Sequence, residues 1–304
     1  MASLLEGKCA VVTGAGRGMG REIALAMAKQ GVKVIVNDLG GAPDGSGSDR
    51  GPADDVVAEI KKSGGTAAAN YDSVADFDAA ENIVNSCVGN FGRIDILVNC
   101  AGIVGKGAQN FWETKKENWD TVIAVNLNGT FNMSRHALGF MVKQNAGRII
   151  NFSSPAWLGA GATAYTASKG AITSLTIGLA QTLMLGGYNI TCNAMVPIAA
   201  TRIGPRGGPG SFRTFEAGLI NRQLYEESAD PPGPEHVVGP VLYLCTDEAA
   251  SFNGQIIGST RGRMAVYTWP TEAKGIYKDG IWTLDELIKI VPKTLAMDLR
   301  KTRG

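Results

Sequence analysis

Residues 9–29 read CAVVTGAGRGMGREIALAMAK. A short apolar, β-rich run enters Thr13-Gly14-Ala15-Gly16-Arg17-Gly18-Met19-Gly20, and a helical pattern leaves it. This order has a physical meaning. One glycine allows the tight bend, a second lets backbone amides at the helix start approach a pyrophosphate, and a third lets helix and strand pack closely. Asp38 ends the next β-rich run and is followed by Leu39. An acid at that place accepts hydrogen bonds from a ribose 2′-hydroxyl and repels a 2′-phosphate, so the turn reads as a site for NAD, with NADP disfavoured. Arg17 is the competing signal, because a cation in the turn can meet a 2′-phosphate.

Working outward, short apolar runs alternate with longer helical patterns. Strands are expected at Cys9–Thr13, Lys33–Asp38, Thr66–Tyr71, Ile94–Asn99, Arg148–Ser153, Ile190–Met195 and Gln255–Gly258. Helices are expected at Met19–Lys29, Pro52–Lys62, Asp76–Asn90, Trp119–Lys143, Ala164–Leu185 and Glu235–Cys245. Continuously apolar strands separated by helices imply a parallel sheet covered on both faces. The expected fold is therefore a single-domain α/β architecture, a Rossmann-type doubly wound parallel sheet of seven strands. Two stretches break the rhythm: a Gly/Ser/Asp loop at 39–51, and a Gly/Pro/Arg-rich insertion at 203–234, long enough to be a substrate lid. Residues 1–263 are read as the catalytic domain and 264–304 as an extension packing on it or on a neighbouring subunit.

Composition narrows the function class. Lys and Arg number 29 against 28 Asp and Glu, a net charge of +1. With no field of one sign, nucleic-acid binding is not expected. The opening MASLLEGKCAVVTG has Glu6 and Lys8 where a leader would be apolar, and no apolar run reaches the ~18 residues of a membrane span, so neither export nor a membrane role is expected. The five cysteines are widely spaced with no CxxC pair, and the two histidines, His136 and His236, stand far apart. A disulfide framework and a metal site are both disfavoured, and a reducing, cytoplasmic setting is the expectation.

The spacing T-G-x-x-x-G-x-G resembles that of the short-chain dehydrogenases/reductases of the non-extended type, and further motifs extend the likeness over roughly residues 5–260. Asp72-Ser73-Val74 resembles the family's adenine-contacting element. Asn99-Cys100-Ala101-Gly102 resembles its N-N-A-G segment, with Cys100 in place of the second Asn, and the resemblance puts Gly102 beneath the nicotinamide ribose. Asn126, in AVNLNG, resembles the residue that holds a proton-relay water. Pro197 lies in a segment similar to N-x-x-x-P-G, with Ile198 where glycine is customary, and Thr201 follows as a side-chain contact to the cofactor. The family's last helix and strand commonly form subunit interfaces, which implies a homodimer or homotetramer.

Ser153-Ser154 ends the fifth expected strand, and Tyr165 and Lys169 follow one helical turn apart, on one face. A free tyrosine, with a pKa of about 10, is a poor base at neutral pH. A neighbouring ammonium, joined by the positive nicotinamide when NAD⁺ is bound, favours the phenolate, so Tyr165 is expected to move a proton to and from a hydroxyl while hydride passes between the same carbon and the nicotinamide. Ser154 is expected to hold the substrate oxygen, with Ser153 the weaker candidate; Lys169 also grips the nicotinamide ribose, and Asn126 connects it to solvent. The turn PAWLGAGATA shapes the pocket, with Trp157 as a substrate wall.

The substrate class is a secondary alcohol or its ketone. The chain is similar to the (3R)-hydroxyacyl-CoA dehydrogenase part of multifunctional β-oxidation enzymes, some relatives of which act on steroids. This resemblance implies a CoA thioester or hydroxysteroid, with Arg202, Arg206 and Arg213 available to CoA phosphates. Two other readings keep the fold: a dinucleotide-sensing protein without turnover, which would not need Ser154, Tyr165 and Lys169, and a cofactor-independent lyase, which would not need the intact turn.

Overall fold

The computed structural model describes residues 3–106, 110–159, 163–203, 215–216, 218, 222–268 and 270–297. Seven parallel strands run β1 (Cys9–Thr13), β2 (Lys33–Asn37), β3 (Ala67–Asn70), β4 (Ile96–Asn99), β5 (Gly147–Phe152), β6 (Ile190–Pro197) and β7 (Ile256–Thr260). An eighth, β8 (Arg263–Tyr267), turns back and pairs antiparallel with β7. The sheet order is β3-β2-β1-β4-β5-β6-β7-β8. The seven expected strands are thus all present and parallel, and the sheet gains one antiparallel edge strand that crosses the expected boundary at residue 263.

The strands alternate their side chains between two cores, as a period of two requires. Ala10 and Val12 of β1, Val34 and Val36 of β2, and Ile96 and Val98 of β4 face one core. Cys9, Val11, Ile35 and Leu97 face the other. The first is covered by α1 (Gly18–Lys29) and α2 (Gly51–Lys62), the second by α3 (Phe77–Phe91), α5 (Gly129–Gln144) and α6 (Thr163–Leu185). Each Val, Leu or Ile so buried contributes about 1.5–3 kcal/mol. Burial on both faces explains why these strands read as continuous apolar runs.

The helices begin and end where local chemistry dictates. In α3 the Asp76 carboxylate accepts from the Ala79 amide at 2.7 Å, and Gly92 closes the other end in the left-handed region. The single helix expected over Trp119–Lys143 is interrupted: α4 (Lys116–Ile123) passes through a wide π turn, Ala124–Asn128, into α5. Chain order reverses between β1 and β4, and the carboxyl ends of these two strands open a crevice where ligands of doubly wound sheets bind. Later helices are α7 (Arg222–Ala229), α8 (Val238–Leu244) and α9 (Leu284–Ile290). Among the described residues no helix is long and apolar enough to cross a membrane.

Candidate active site

At Gly14, Gly16 and Gly20, in the turn between β1 and α1, there is no room for a side chain. Gly14 has φ +63°, and a Cβ there would lie 2.8 Å from the Ala101 Cα; one on Gly20 would lie 2.2 Å from the Gly14 carbonyl oxygen. A Cβ on Gly16 would strike the Asp38 carboxylate, whose Oδ2 accepts from the Gly16 amide at 2.7 Å while Oδ1 accepts from Gly40 at 2.6 Å. Asp38 is thereby pinned against the turn. Helix α1 starts with no capping side chain and no acidic residue in its first turn, so its leading amides are available to an anion.

From this turn a cavity runs past Arg17, Met19, Asp38 and Leu39 to Asp72 and Ser73 on one side, and to Ala101 and Gly102 on the other. It adjoins a second cavity lined by Ser154, Tyr165, Lys169 and Pro197; Met19, Cys100, Gly102, Thr201 and Ile203 border both. An elongated groove with uncapped amides at its middle, an acid at one end and a proton-transfer set at the other fits a dinucleotide lying across the switch point.

Tyr165 and Lys169 project from α6 towards β5. Lys169 is 4% exposed; its Nζ donates to the Phe152 carbonyl at 2.7 Å and lies 5.5 Å from the centre of the Tyr165 ring. Burial lowers its pKa to about 8. The Tyr165 phenol is pushed above its ordinary value by burial, and a hydrogen bond with Ser154 acts in the opposite direction. Burial is thus the dominant influence on the phenol of the protein alone, while the expected pull towards the phenolate also draws on the positive nicotinamide. Both serines line the second cavity, but their hydroxyls differ in commitment. Ser153 is buried, bonding the Lys169 carbonyl at 2.9 Å and lying 3.1 Å from the Thr173 hydroxyl. Ser154 caps the turn Pro155–Leu158, accepting from the Ala156 amide, and faces the cavity.

Other expected residues sit elsewhere. Asn126 is wholly buried in the π turn; its amide donates to the Ile103 carbonyl and the Ser168 hydroxyl, each at 3.0 Å, and its Oδ1 accepts from the Ile103 amide. It lines neither cavity but stands behind Gly102, whose Cβ would lie 3.4 Å from its Oδ1 and 3.5 Å from the Lys169 Nζ. The side chain of Asn99 donates to Asn151 and Ser134, tying β4 to β5 and α5, and the residue borders neither cavity. Trp157 is likewise outside both; its ring meets Tyr267 of β8 edge-on at 5.9 Å. Arg202 borders the dinucleotide groove, whereas Arg206 and Arg213 lie outside the described residues. Two contributors were missed. The Thr13 hydroxyl oxygen accepts from the Cys100 and Ala101 amides at 3.1 Å each, joining the ends of β1 and β4. The loop after Asp38 also folds over the groove, with Pro43 bonded to the Val104 amide. Thr13 stood in the quoted motif; nothing in the loop's composition marked its contact.

Comparison with known proteins agrees with this geometry. The short chain dehydrogenase family model matches residues 8–202. The chain is 40% identical over 261 residues to the peroxisomal multifunctional enzyme type 2 of Drosophila melanogaster, covering 84% of this chain but 39% of that much longer protein. It is 36% identical over 262 residues to the hydroxyacyl-CoA dehydrogenase ChsB1 of Mycobacterium tuberculosis, covering 83% of this chain and 77% of the relative. A crystal structure of a short chain dehydrogenase from Mycobacterium paratuberculosis bound to NAD superposes with a TM-score of 0.71 at 27% identity, covering 85% of this chain and 98% of that one. A glycine turn at the switch point, opening onto Ser154, Tyr165 and Lys169, thus belongs to a chain that is a member of the short-chain dehydrogenase/reductase family, oxidoreductases that work with a nicotinamide cofactor.

Proposed function

We propose that the protein interconverts a secondary alcohol and a ketone with NAD(H), on a 3-hydroxyacyl-CoA or hydroxysteroid-type substrate. The observation that carries this reading is the pair of adjoining cavities, one lined by the glycine turn and Asp38 and the other by Ser154, Tyr165 and Lys169. Arg17, Met19, Asp38, Leu39, Asp72, Ser73, Gly102 and Thr201 line the groove that would hold the dinucleotide. The nicotinamide, when bound, supplies the hydride acceptor or donor. Tyr165 donates its phenolic proton to the substrate oxygen in the reducing direction and, in oxidation, takes the hydroxyl proton as the phenolate that the Lys169 ammonium and the positive nicotinamide favour. Ser154 hydrogen-bonds that oxygen as charge develops on it. Lys169, anchored on the Phe152 carbonyl, presents its ammonium beside the phenol and the floor at Gly102. Asn126 acts through position: it holds the segment at Ile103 and the start of α6 at Ser168.

The hydroxyacyl-CoA assignment draws on the name of the mycobacterial relative. The segment 203–234, of which 204–214, 217 and 219–221 lie outside the described residues, is assigned the role of a lid, the extension 264–304, described as far as 297 except at 269, that of a contact to the domain or a neighbouring subunit, and the working unit is a cytoplasmic homodimer or homotetramer. The test is NADH formation across secondary alcohols and 3-hydroxyacyl-CoAs, with Tyr165→Phe as control. We expect turnover with at least one 3-hydroxyacyl-CoA or hydroxysteroid, and a fall of about 10²–10⁴-fold in kcat for the variant. Undiminished turnover in Tyr165→Phe would remove the mechanism.

A further inference from the structure

The choice of dinucleotide is set by more than Asp38. A shallow groove beside Asp38, on the far side of the glycine turn, is lined by Gly16, Arg17, Arg21, Asp49, Asp55 and Glu59. It shares Arg17 and Gly18 with the dinucleotide groove, and Gly16 on its wall donates to Asp38, which brings it next to a ribose held at that acid. The groove has the cations a 2′-phosphate on that ribose needs, yet each is engaged. Arg17 Nη2 lies 3.8 Å from Asp49 Oδ2. Arg21 is held between Glu22 at 2.6 Å and Glu59 at 2.5 Å. Arg50, nearby, lies over the Tyr71 ring.

Asp49 is brought there by the closure of its own loop. Its amide donates to the Leu39 carbonyl at 3.0 Å, and its carbonyl oxygen packs so close to Gly40, at φ +77°, that a Cβ on Gly40 would lie 1.8 Å from it. Its Oδ1 accepts from the Gly51 amide at the start of α2. The loop at 39–51 therefore returns an acid to the mouth of the turn, within ion-pair distance of Arg17.

We propose that Asp49 is a second specificity-determining residue: by occupying Arg17 it closes a latent 2′-phosphate site that the turn otherwise contains. The proposal rests on the reading that Asp38 selects NAD. It assigns the cationic groove a ligand class, the 2′-phosphate of NADP, and explains how a turn containing arginine serves a dinucleotide without that phosphate.

The test is calorimetric binding of NAD⁺ and NADP⁺ to the unmodified full chain, D38N, D49N, D38N/D49N and R17Q/D38N/D49N. Asparagine at 49 keeps the acceptor for Gly51 while removing the charge. D38N alone recovers part of the NADP⁺ affinity, and D38N/D49N binds NADP⁺ about tenfold more tightly than D38N, the scale of one charge-assisted guanidinium–phosphate contact. R17Q abolishes that gain, and raised salt weakens it. D49N alone shifts the NADP⁺/NAD⁺ affinity ratio in the same direction, which keeps the test open should the Asp38 variants fold poorly. If D49N leaves the ratio unchanged in both backgrounds, or the gain survives R17Q, the role of Asp49 is overturned while that of Asp38 stands. Equal affinity of the unmodified protein for NAD⁺ and NADP⁺ would remove the NAD reading itself.

Discussion

Lys169 should destabilise the fold it serves, and the cost can be isolated by pH. The side chain is 4% exposed, and burial lowers its pKa from an ordinary 10.5 to about 8. That gap corresponds to about 3 kcal/mol. Below about pH 8 the group is charged in both folded and unfolded chains, and the folded state bears the desolvation. Between about 8 and 10.5 the folded chain has released this proton while the unfolded chain still binds it, so unfolding takes up a proton and rising pH favours the folded state. Buried thiols act the other way: burial raises Cys192 and Cys245 to about 12, so they lose stability as pH rises. A difference between two proteins removes them. Urea unfolding of the unmodified protein and Lys169→Met across this range should show the unmodified protein gaining about 3 kcal/mol on the variant. Turnover should be lost in the variant at every pH. A difference that stays flat, or that falls with pH, would refute the claim that desolvation governs this lysine.

Other perturbations read different parts of the site. Since burial pushes Tyr165 up, the difference between ultraviolet titrations of the protein without cofactor and of Tyr165→Phe should place the Tyr165 ionisation above that of an ordinary tyrosine; a tyrosinate appearing near neutrality and absent from Tyr165→Phe would contradict that ordering. Gly20→Ala places a Cβ 2.2 Å from the Gly14 oxygen, so the turn must open, with about 1–3 kcal/mol of strain and NAD⁺ affinity reduced at least tenfold by calorimetry; unchanged affinity would mean that the turn does not hold the cofactor. Tyr267→Leu removes the ring that Trp157 meets edge-on, which should cost about 1 kcal/mol in urea unfolding and lower kcat/KM by loosening the turn after Ser154; an unaltered kcat/KM would detach β8 from the site.

The parts of this molecule that were legible in the sequence are those whose cause is local or two-sided. Seven strands stood out because Val11, Ile35, Leu97 and their neighbours are buried on both faces of the sheet, leaving no polar alternation to confuse the pattern. The glycine turn stood out because the clashes that exclude side chains there involve atoms a few residues away, Gly20 against Gly14 above all. Tyr165 and Lys169 were paired by helical period alone. The edge strand β8 was hidden for the opposite reason: Arg263, Met264 and Val266 are exposed, so it lacks the continuous burial that marked the others. The π turn at Ala124–Asn128 shifts the helical register by a single residue, too little to disturb an apolar period spanning α4 and α5.

The side chains that sequence and structure place differently share a further property: each can satisfy itself in more than one direction. An amide at a strand end presents the same donors to a ligand or to the next strand, and in Asn99 the neighbouring Asn151 and Ser134 take them. Asn126 has both its donor and its acceptor committed to Ile103, which places its amide behind Gly102 and outside both cavities. Asp49 is the converse case, an acid in a Gly/Ser-rich loop with no pattern to recommend it, given a task only because Gly40 lets the loop close and bring it to Arg17. Chemistry-bearing residues at the ends of strands were identifiable by type; which of them face the groove was decided by the hydrogen bonds their neighbours offered first.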